Sequence, residues 1–248
     1  MIPLEQRQAT FVKALQADRG ERPSQVLATW AEIAYCALAK PAADEANADK
    51  LEARYMKLIA GASKDTLDRY AEMLGLAVRS LGEDGIDFFS KIMHHDDVQA
   101  TVSRAGQFFT PWGVSSLLAK MTLNDANEII KRQGFLTICE PCCGPGGMVL
   151  AAVSALREQG IVIERDVWIE ATDISSLCAH LTYIQMYGVG AAGVVRHADS
   201  LRMEQWDAAI LTTSGTFLNA HGSPWEKTIQ LPADEAPTAN GQLELFVA

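Results

Sequence analysis

The sequence has no run of 18 apolar residues, and it does not open with a charged segment followed by an apolar one. The first absence argues against a membrane-spanning helix, and the second against a secretory signal. We therefore expect a cytoplasmic protein, in which thiols stay reduced. The five cysteines are an odd number, which favours free thiols over a disulfide framework.

Positive charge is also scarce. The chain carries 21 Lys and Arg against 31 Asp and Glu, for a formal net charge of −10, and beyond residue 200 its Lys and Arg residues are Arg202 and Lys227. Proteins that bind nucleic-acid backbones unaided neutralise phosphates with these two residue types. The composition argues against strong DNA binding by this chain alone.

The pattern of apolar residues divides the chain into three regions. Residues 1–95 show helical spacing and are predicted to form a helical region. Residues 96–218 alternate helical patterns with short apolar runs, which predicts βαβ units and a parallel sheet in an α/β domain. Residues 219–248 hold three prolines and little periodicity, so we predict a flexible C-terminal tail. The four predicted strands are residues 135–139, 166–172, 192–197 and 207–212.

The stretch "EPCCGPGG", residues 140–147, follows the first predicted strand and precedes a helix. Ligands of open parallel sheets bind beyond the carboxyl ends of the strands, where this loop lies. Gly144, Gly146 and Gly147 permit a tight turn and a close approach of ligand to backbone. A plain strand-to-helix turn is the alternative interpretation.

Two aspartates favour the ligand-binding interpretation. Asp173 ends the second predicted strand, where a carboxylate can accept the hydroxyl groups of a ribose. Asp199 follows the third predicted strand, where it can accept an adenine amino group. Either aspartate alone is more often a helix cap, but together with the glycine loop they predict a nucleoside pocket.

The cysteines of the loop suggest a competing metal or redox site. Cys139 and Cys142 have the spacing of a zinc-ligand pair, but no second pair follows. We therefore predict no metal, with Cys139 pointing into the sheet and the thiols packed beneath the glycine turn.

Upstream, Thr110 and Pro111 in "GQFFTP" fit a helix start, with the threonine hydroxyl as the cap and the proline in the first turn. Such a terminus attracts an anion, for example an amino-acid carboxylate.

With these motifs the chain resembles adenine-specific DNA methyltransferases related to the modification subunits of type I restriction systems, especially short phage- and plasmid-borne members. The resemblance runs from Asp87 to Leu201 and includes "GQFFTP", "EPCCGPGGM", "TDIS", "YIQMYG" and "HADSL" in the family's order. It implies a Rossmann-like sheet, shortened to four or five strands, that binds S-adenosyl-L-methionine. Carried over by position, the cofactor-binding residues are Gln107, Phe108, Phe109, Thr110, Pro111, Glu140, Pro141, Gly144, Gly146, Asp173, Ile174, Asp199 and Ser200.

The resemblance does not extend to the family's catalytic tetrapeptide. Active members carry Asn/Asp-Pro-Pro-aromatic after the fourth strand, where it binds a base flipped out of the duplex. Here that position reads Thr212-Thr213-Ser214-Gly215, so the catalytic residues are unknown and the loop would offer mostly backbone acceptors. Two hypotheses stay open: adenine methylation of DNA with help from partners, or a cofactor-binding or interaction module that no longer transfers a methyl group.

The end of the chain contains a further short motif. "QLELF" resembles the peptide by which bacterial replication and repair proteins dock on the sliding clamp, and it implies contacts by Gln242, Leu243, Leu245 and Phe246. Chance and a segment that folds back on its own domain are the alternatives.

Overall fold

The computed structural model describes residues 2–18, 20–96, 98 and 109–225. The predicted helical region consists of α1 to α5, with a short 3-10 turn at Lys40–Ala42. Their bounds are α1 Leu4–Leu15, α2 Pro23–Ala39, α3 Glu45–Ile59, α4 Lys64–Asp84 and α5 Phe89–Met93. The α/β part follows as α6 Trp112–Thr122, α7 Ala126–Gln133, β1 Leu136–Glu140, α8 Gly147–Glu158, α9 Ile163–Asp166, β2 Val167–Asp173, α10 Ser176–Gly188, β3 Ala192–Asp199, β4 Glu204–Ile210 and α11 Ser214–His221.

Side-chain caps set the ends of several helices. The Asp44 carboxylate accepts the backbone N–H of Asn47 at 2.9 Å and starts α3. The Ser63 hydroxyl accepts the N–H of Thr66 at 3.1 Å and starts α4, which ends at Gly85 with a φ of 63°. Both are the expected cap chemistry, because these groups satisfy backbone donors and acceptors that the helix itself leaves free.

The helical region and the sheet share one hydrophobic core. In the helical region, edge-to-face contacts join Phe11 to Trp30, Phe88 and Phe89, with ring centroids 4.8 to 5.7 Å apart. These buried rings belong to the same apolar cluster as Ile169 of the sheet and its covering helices. Burying each large side chain stabilises the fold by roughly 1.5–3 kcal/mol. The helical region is therefore packed against the α/β part.

The sheet has four strands in the order β1-β2-β3-β4. The first three run parallel, in the register Ile138↔Ile169 and Ile169↔Gly193. The fourth strand runs antiparallel to β3, so the prediction of a fully parallel sheet was wrong for β4. The reason is the short turn at residues 200–203, because a parallel neighbour needs a crossover of about a dozen residues or more.

In the part of the chain that the structure describes, no helix combines the length and apolar character needed to cross a membrane.

Arg54 of α3 ties the helical region to the sheet and to α10. Its guanidinium forms ion pairs with Glu32 and with Asp207 of β4, the latter at 2.8 Å. A further nitrogen lies 3.2 Å from Nε2 of His180, whose ring stacks on Tyr35 at a centroid distance of 4.5 Å. Because a guanidinium only donates, Nε2 accepts and the neutral imidazole carries its proton on Nδ1.

This arrangement predicts a pH dependence of stability. Burial, with a smaller contribution from Arg54, lowers the pKa of His180 to about 3, whereas an unfolded histidine titrates near pH 6.5. The unfolded chain therefore binds more protons below pH 6.5, and stability is lost as the pH falls. Between pH 7 and pH 5, His180 should contribute about 2 kcal/mol to the fall in the free energy of unfolding.

Urea unfolding at the two pH values checks this expectation against the variant His180→Phe, which keeps a buried ring and cannot be protonated. The fall in free energy should be about 2 kcal/mol smaller in the variant. An equal fall in both proteins would contradict it.

Candidate functional site

The glycine loop lies between β1 and the start of α8, at the carboxyl edge of the parallel strands, as predicted. Gly144 and Gly146 have φ values of 54° and 103°, in the left-handed region that favours glycine. The amide of Cys143 donates to the carbonyl of Thr172 at 2.9 Å, so the loop continues the pairing with β2 past the last strand residue. The backbone can therefore turn sharply at the end of the sheet.

Asp173 holds this loop in place. Its Oδ2 accepts the N–H of Gly144 at 2.8 Å, and its Oδ1 accepts the N–H of Ser175 at 2.8 Å. The residue is 7% exposed, and burial raises the pKa of its carboxyl, opposed by these two amide hydrogen bonds. Asp173 lies at the predicted edge, but its nearest partners are backbone amides that shape the pocket wall.

Two side chains of α10 hold the carbonyls of the loop, and sequence reasoning missed both. The hydroxyl of Thr182 donates to the carbonyl of Gly144 at 2.8 Å, and Nε2 of Gln185 donates to that of Pro145 at 2.6 Å. Both side chains are fully buried. The available signal was a pair of polar residues at i, i+3 within the otherwise apolar "LTYIQMYG".

Asp199 and Ser200 come together with the loop at the end of β3. Oδ1 of Asp199 accepts the amides of Leu201 and Arg202, each at 3.0 Å, and so orders the turn into β4. The hydroxyl of Ser200 donates to the carbonyl of Pro141 at 2.6 Å. The ends of β1 and β3 are therefore bonded directly across the predicted site.

The remaining predicted residues of these strand ends lie at the same edge. Oε1 of Glu140 accepts the amide of Cys142 at 3.3 Å within the loop. Ile174 directly follows Asp173 and is 59% exposed, which leaves an apolar surface beside the carboxylate.

The structure corrects the predicted start of the upstream helix. Pro111, not Thr110, occupies the cap position of α6, and its carbonyl accepts the amides of Val114 and Ser115. Thr110 lies one residue too early to cap. It lines the cavity beside the loop together with Phe109, while the predicted Gln107 and Phe108 lie outside the described residues.

The cysteines are arranged differently from the prediction. Cys139 and Cys142 are exposed, whereas only Cys143 of the three is buried under the turn, where the Thr182 hydroxyl contacts its sulfur. Burial raises the pKa of the Cys143 thiol well above its usual range. Among the residues described, no three His, Cys, Asp or Glu side chains cluster in a way that could hold a metal ion.

The larger of two cavities in the described residues is not at the glycine loop. A cavity of about 460 Å³ lies between α2, α3 and β4, but none of the predicted site residues lines it. The cavity beside the glycine loop is only about 60 Å³, and the Phe109 ring packs on Gly144 at its wall. Most of a nucleoside would have to lie over the open ends of β2 and β3. We place the site by its chemistry and not by cavity size.

The reversed β4 moves the tetrapeptide position away from this site. The Leu211 amide donates to the carbonyl of Gly193, and the amide of Gly193 donates to the Ser214 hydroxyl. Gly193 is near the start of β3, about 20 Å from its end at the usual rise per residue. Thr212 to Gly215, the predicted source of backbone acceptors, therefore lie at the end of β3 opposite the glycine loop.

Three parallel strands, a glycine loop held by a buried carboxylate, and acidic side chains at two strand ends define a shortened Rossmann-like sheet of the methyltransferase type. The chain belongs to the N-6 DNA methylase family, whose model matches residues 87–226.

A solved structure from Listeria monocytogenes, provisionally described as a class I S-adenosylmethionine-dependent methyltransferase, is similar to the chain at 18% sequence identity and a TM-score of 0.41. The match covers 80% of this chain and 53% of that one, so this chain spans about half the length of that protein. No curated protein matches the chain. The clamp-binding residues proposed at 242–246 lie outside the described residues, and that assignment stays a prediction.

Proposed function

We propose that this protein binds S-adenosylmethionine at the glycine loop and takes part in methyl transfer to the exocyclic amino group of adenine in DNA. The observation that carries the proposal is the contact between Asp173 and the Gly144 amide, which joins the carboxylate that we assign to the ribose to the loop that we assign to the ligand. Membership of the N-6 DNA methylase family supports the same cofactor and acceptor.

In this proposal the adenosine of the cofactor lies across the ends of β2 and β3. The carboxylate of Asp173 accepts ribose hydroxyls with its remaining lone pairs, and Ile174 offers an apolar surface for the adenine ring. Oδ2 of Asp199 forms only a weak ion pair with Arg202, at 3.8 Å. In this proposal it accepts a hydrogen bond from the adenine amino group. When bound, the cofactor supplies the methyl group, and the loop holds its methionyl end beside Gly144.

A cofactor-binding module without methyl transfer is the second candidate, and the position of β4 favours it. With Thr212 to Gly215 bonded to the start of β3, the described residues bring no tetrapeptide loop to the cofactor edge. A partner that supplies acceptor-binding residues would reconcile this geometry with catalysis.

Cofactor titration by calorimetry, followed by transfer of labelled methyl groups to plasmid DNA, tests both candidates. Because the chain is acidic and its described residues bring no tetrapeptide loop to the cofactor edge, we expect cofactor binding but transfer near the no-protein control for the chain alone. Robust methylation by the isolated chain would refute the second candidate, and failure to bind the cofactor would refute the proposed function.

A further inference from the structure

Asp87 is a buried carboxylate beside the glycine loop that no sequence motif placed in the site. It is 8% exposed and lies just before α5. Its Oδ1 accepts the amides of Phe89 and Ser90, each at 3.1 Å, and Nε2 of Gln185 at 2.9 Å. Among the described residues these three donors are all uncharged, and none of them binds Oδ2. A buried carboxylate is costly without a cation, so Oδ2 is suited to receive one.

The amide of Gln185 fixes Asp87 and the loop as one unit. Its Oε1 accepts the Phe88 amide at 2.8 Å, and its Nε2 donates both to Asp87 and to the carbonyl of Pro145. Because the acceptor side of this amide is bound to an N–H, the amide cannot flip without losing its partners. The orientation of the Asp87 carboxylate relative to the loop is therefore set.

Oδ2 of Asp87 converges with the Ser90 hydroxyl on the first residue of α8. A Cβ at Gly147 would lie 3.0 Å from Asp87 Oδ2 and 3.3 Å from Ser90 Oγ. Ser90, Gly147 and Thr110 line the cavity beside the loop. The absence of a side chain at Gly147 thus leaves open the space that both oxygens border, next to the cavity that Ser90 and Gly147 line.

The two helix starts at this cavity differ in charge. At the start of α8 the Asp87 carboxylate lies beside Gly147, so this helix start would repel an anion and attract a cation. At the start of α6 the first turn has no acidic residue. An amino-acid group carries one cation and one anion, so its ammonium suits the start of α8 and its carboxylate the start of α6.

We propose that Asp87, with Ser90, binds the α-ammonium of the cofactor's methionyl group and directs its carboxylate toward the start of α6. The inference rests on the proposed function, since it concerns the same site. It names the residues that bind the ammonium group, and it specifies the orientation of the methionyl end between α8 and α6.

Calorimetric titration of the full chain with S-adenosylmethionine and with its deaminated analogue, which lacks only the α-amino group, tests the proposal. Wild-type protein should bind the analogue about 10- to 100-fold more weakly, as expected for loss of a hydrogen bond between charged groups. The variant Asp87→Asn keeps an oxygen for the Oδ1 contacts, so it should lose most of this preference. Its affinity for the cofactor should fall about 10- to 100-fold, while that for the analogue changes less than about twofold.

Asp84→Asn is the matched control, because Asp84 lies three residues upstream and pairs with Arg7. It should leave both affinities unchanged. Ser90→Ala gives a smaller loss of the same preference and keeps the test open if Asp87→Asn does not fold. Equal binding of both ligands by the wild-type protein, or an equal loss of both in Asp87→Asn, would overturn this inference alone. Binding of neither ligand by the wild-type protein would overturn the proposed function with it.

Discussion

Replacing Asp173 with alanine is expected to weaken S-adenosylmethionine binding by at least about 100-fold. The carboxylate accepts the amides of Gly144 and Ser175, and in the proposed complex it also accepts the ribose hydroxyls. Hydrogen bonds to a charged group contribute about 1.5–3 kcal/mol each, so losing the ribose contacts alone gives an effect of this size. The unbonded Gly144 amide would also release the loop, which adds to the loss.

Asp166 offers a matched control for this experiment. It directly precedes the first residue of β2, is 8% exposed, and bonds to Arg165, so Asp166→Ala also removes a buried carboxylate. In urea unfolding Asp173→Ala should be destabilised by roughly 1–3 kcal/mol, because it leaves two part-buried amides without an acceptor, and Asp166→Ala by less, because the Arg165 side chain is 55% exposed. Only Asp173→Ala should lose affinity in calorimetric titration. Similar affinities for the two variants would show that Asp173 supports the fold and does not bind the ribose.

The order of helices and strands could be predicted from the sequence because apolar periodicity reports it directly. The predicted strands 135–139 and 166–172 differ from β1 and β2 by one residue at each end. The direction of β4 was missed, although the short link after β3 already excluded a parallel crossover. Apolar runs indicate that a strand exists, whereas the length of the connection decides which way it runs.

The candidate site was predictable only where its residues follow strand ends. Gly144, Asp173 and Asp199 could be placed by that rule, since parallel strands end at one edge. Gln185 and Asp87 could not, because their contact joins residues 98 positions apart and depends on how α10 packs against the start of α5. Local sequence patterns do not predict contacts between residues so far apart in the chain. The side chains that hold a binding loop in place can therefore be identified only from the fold.

Replacing Gly193 with alanine should have the largest effect on stability. The residue has a φ of 151°, and a Cβ there would lie 1.9 Å from the carbonyl oxygen of Ile169 in β2. Backbone atoms cannot yield as a flexible side chain can, so β2 and β3 would have to separate in the middle of the sheet. We expect a loss of at least about 4 kcal/mol in the free energy of unfolding, measured by urea denaturation.

Gly190→Ala is the control that distinguishes the steric clash with Ile169 from the cost of placing alanine at a positive φ. Gly190 has a φ of 68°, and a Cβ there would meet nothing within 4 Å, so its variant should lose only about 1–2 kcal/mol. Equal losses for the two glycines would contradict the close approach of β2 and β3. The outcome also bears on function, because Gly193 bonds Leu211 and Ser214 through its own backbone. The glycine that lets β3 pack tightly on β2 is thus also the one that holds Thr212 to Gly215 at the end of the sheet opposite the glycine loop. In the proposed function, the contacts to the methyl acceptor therefore have to come from elsewhere.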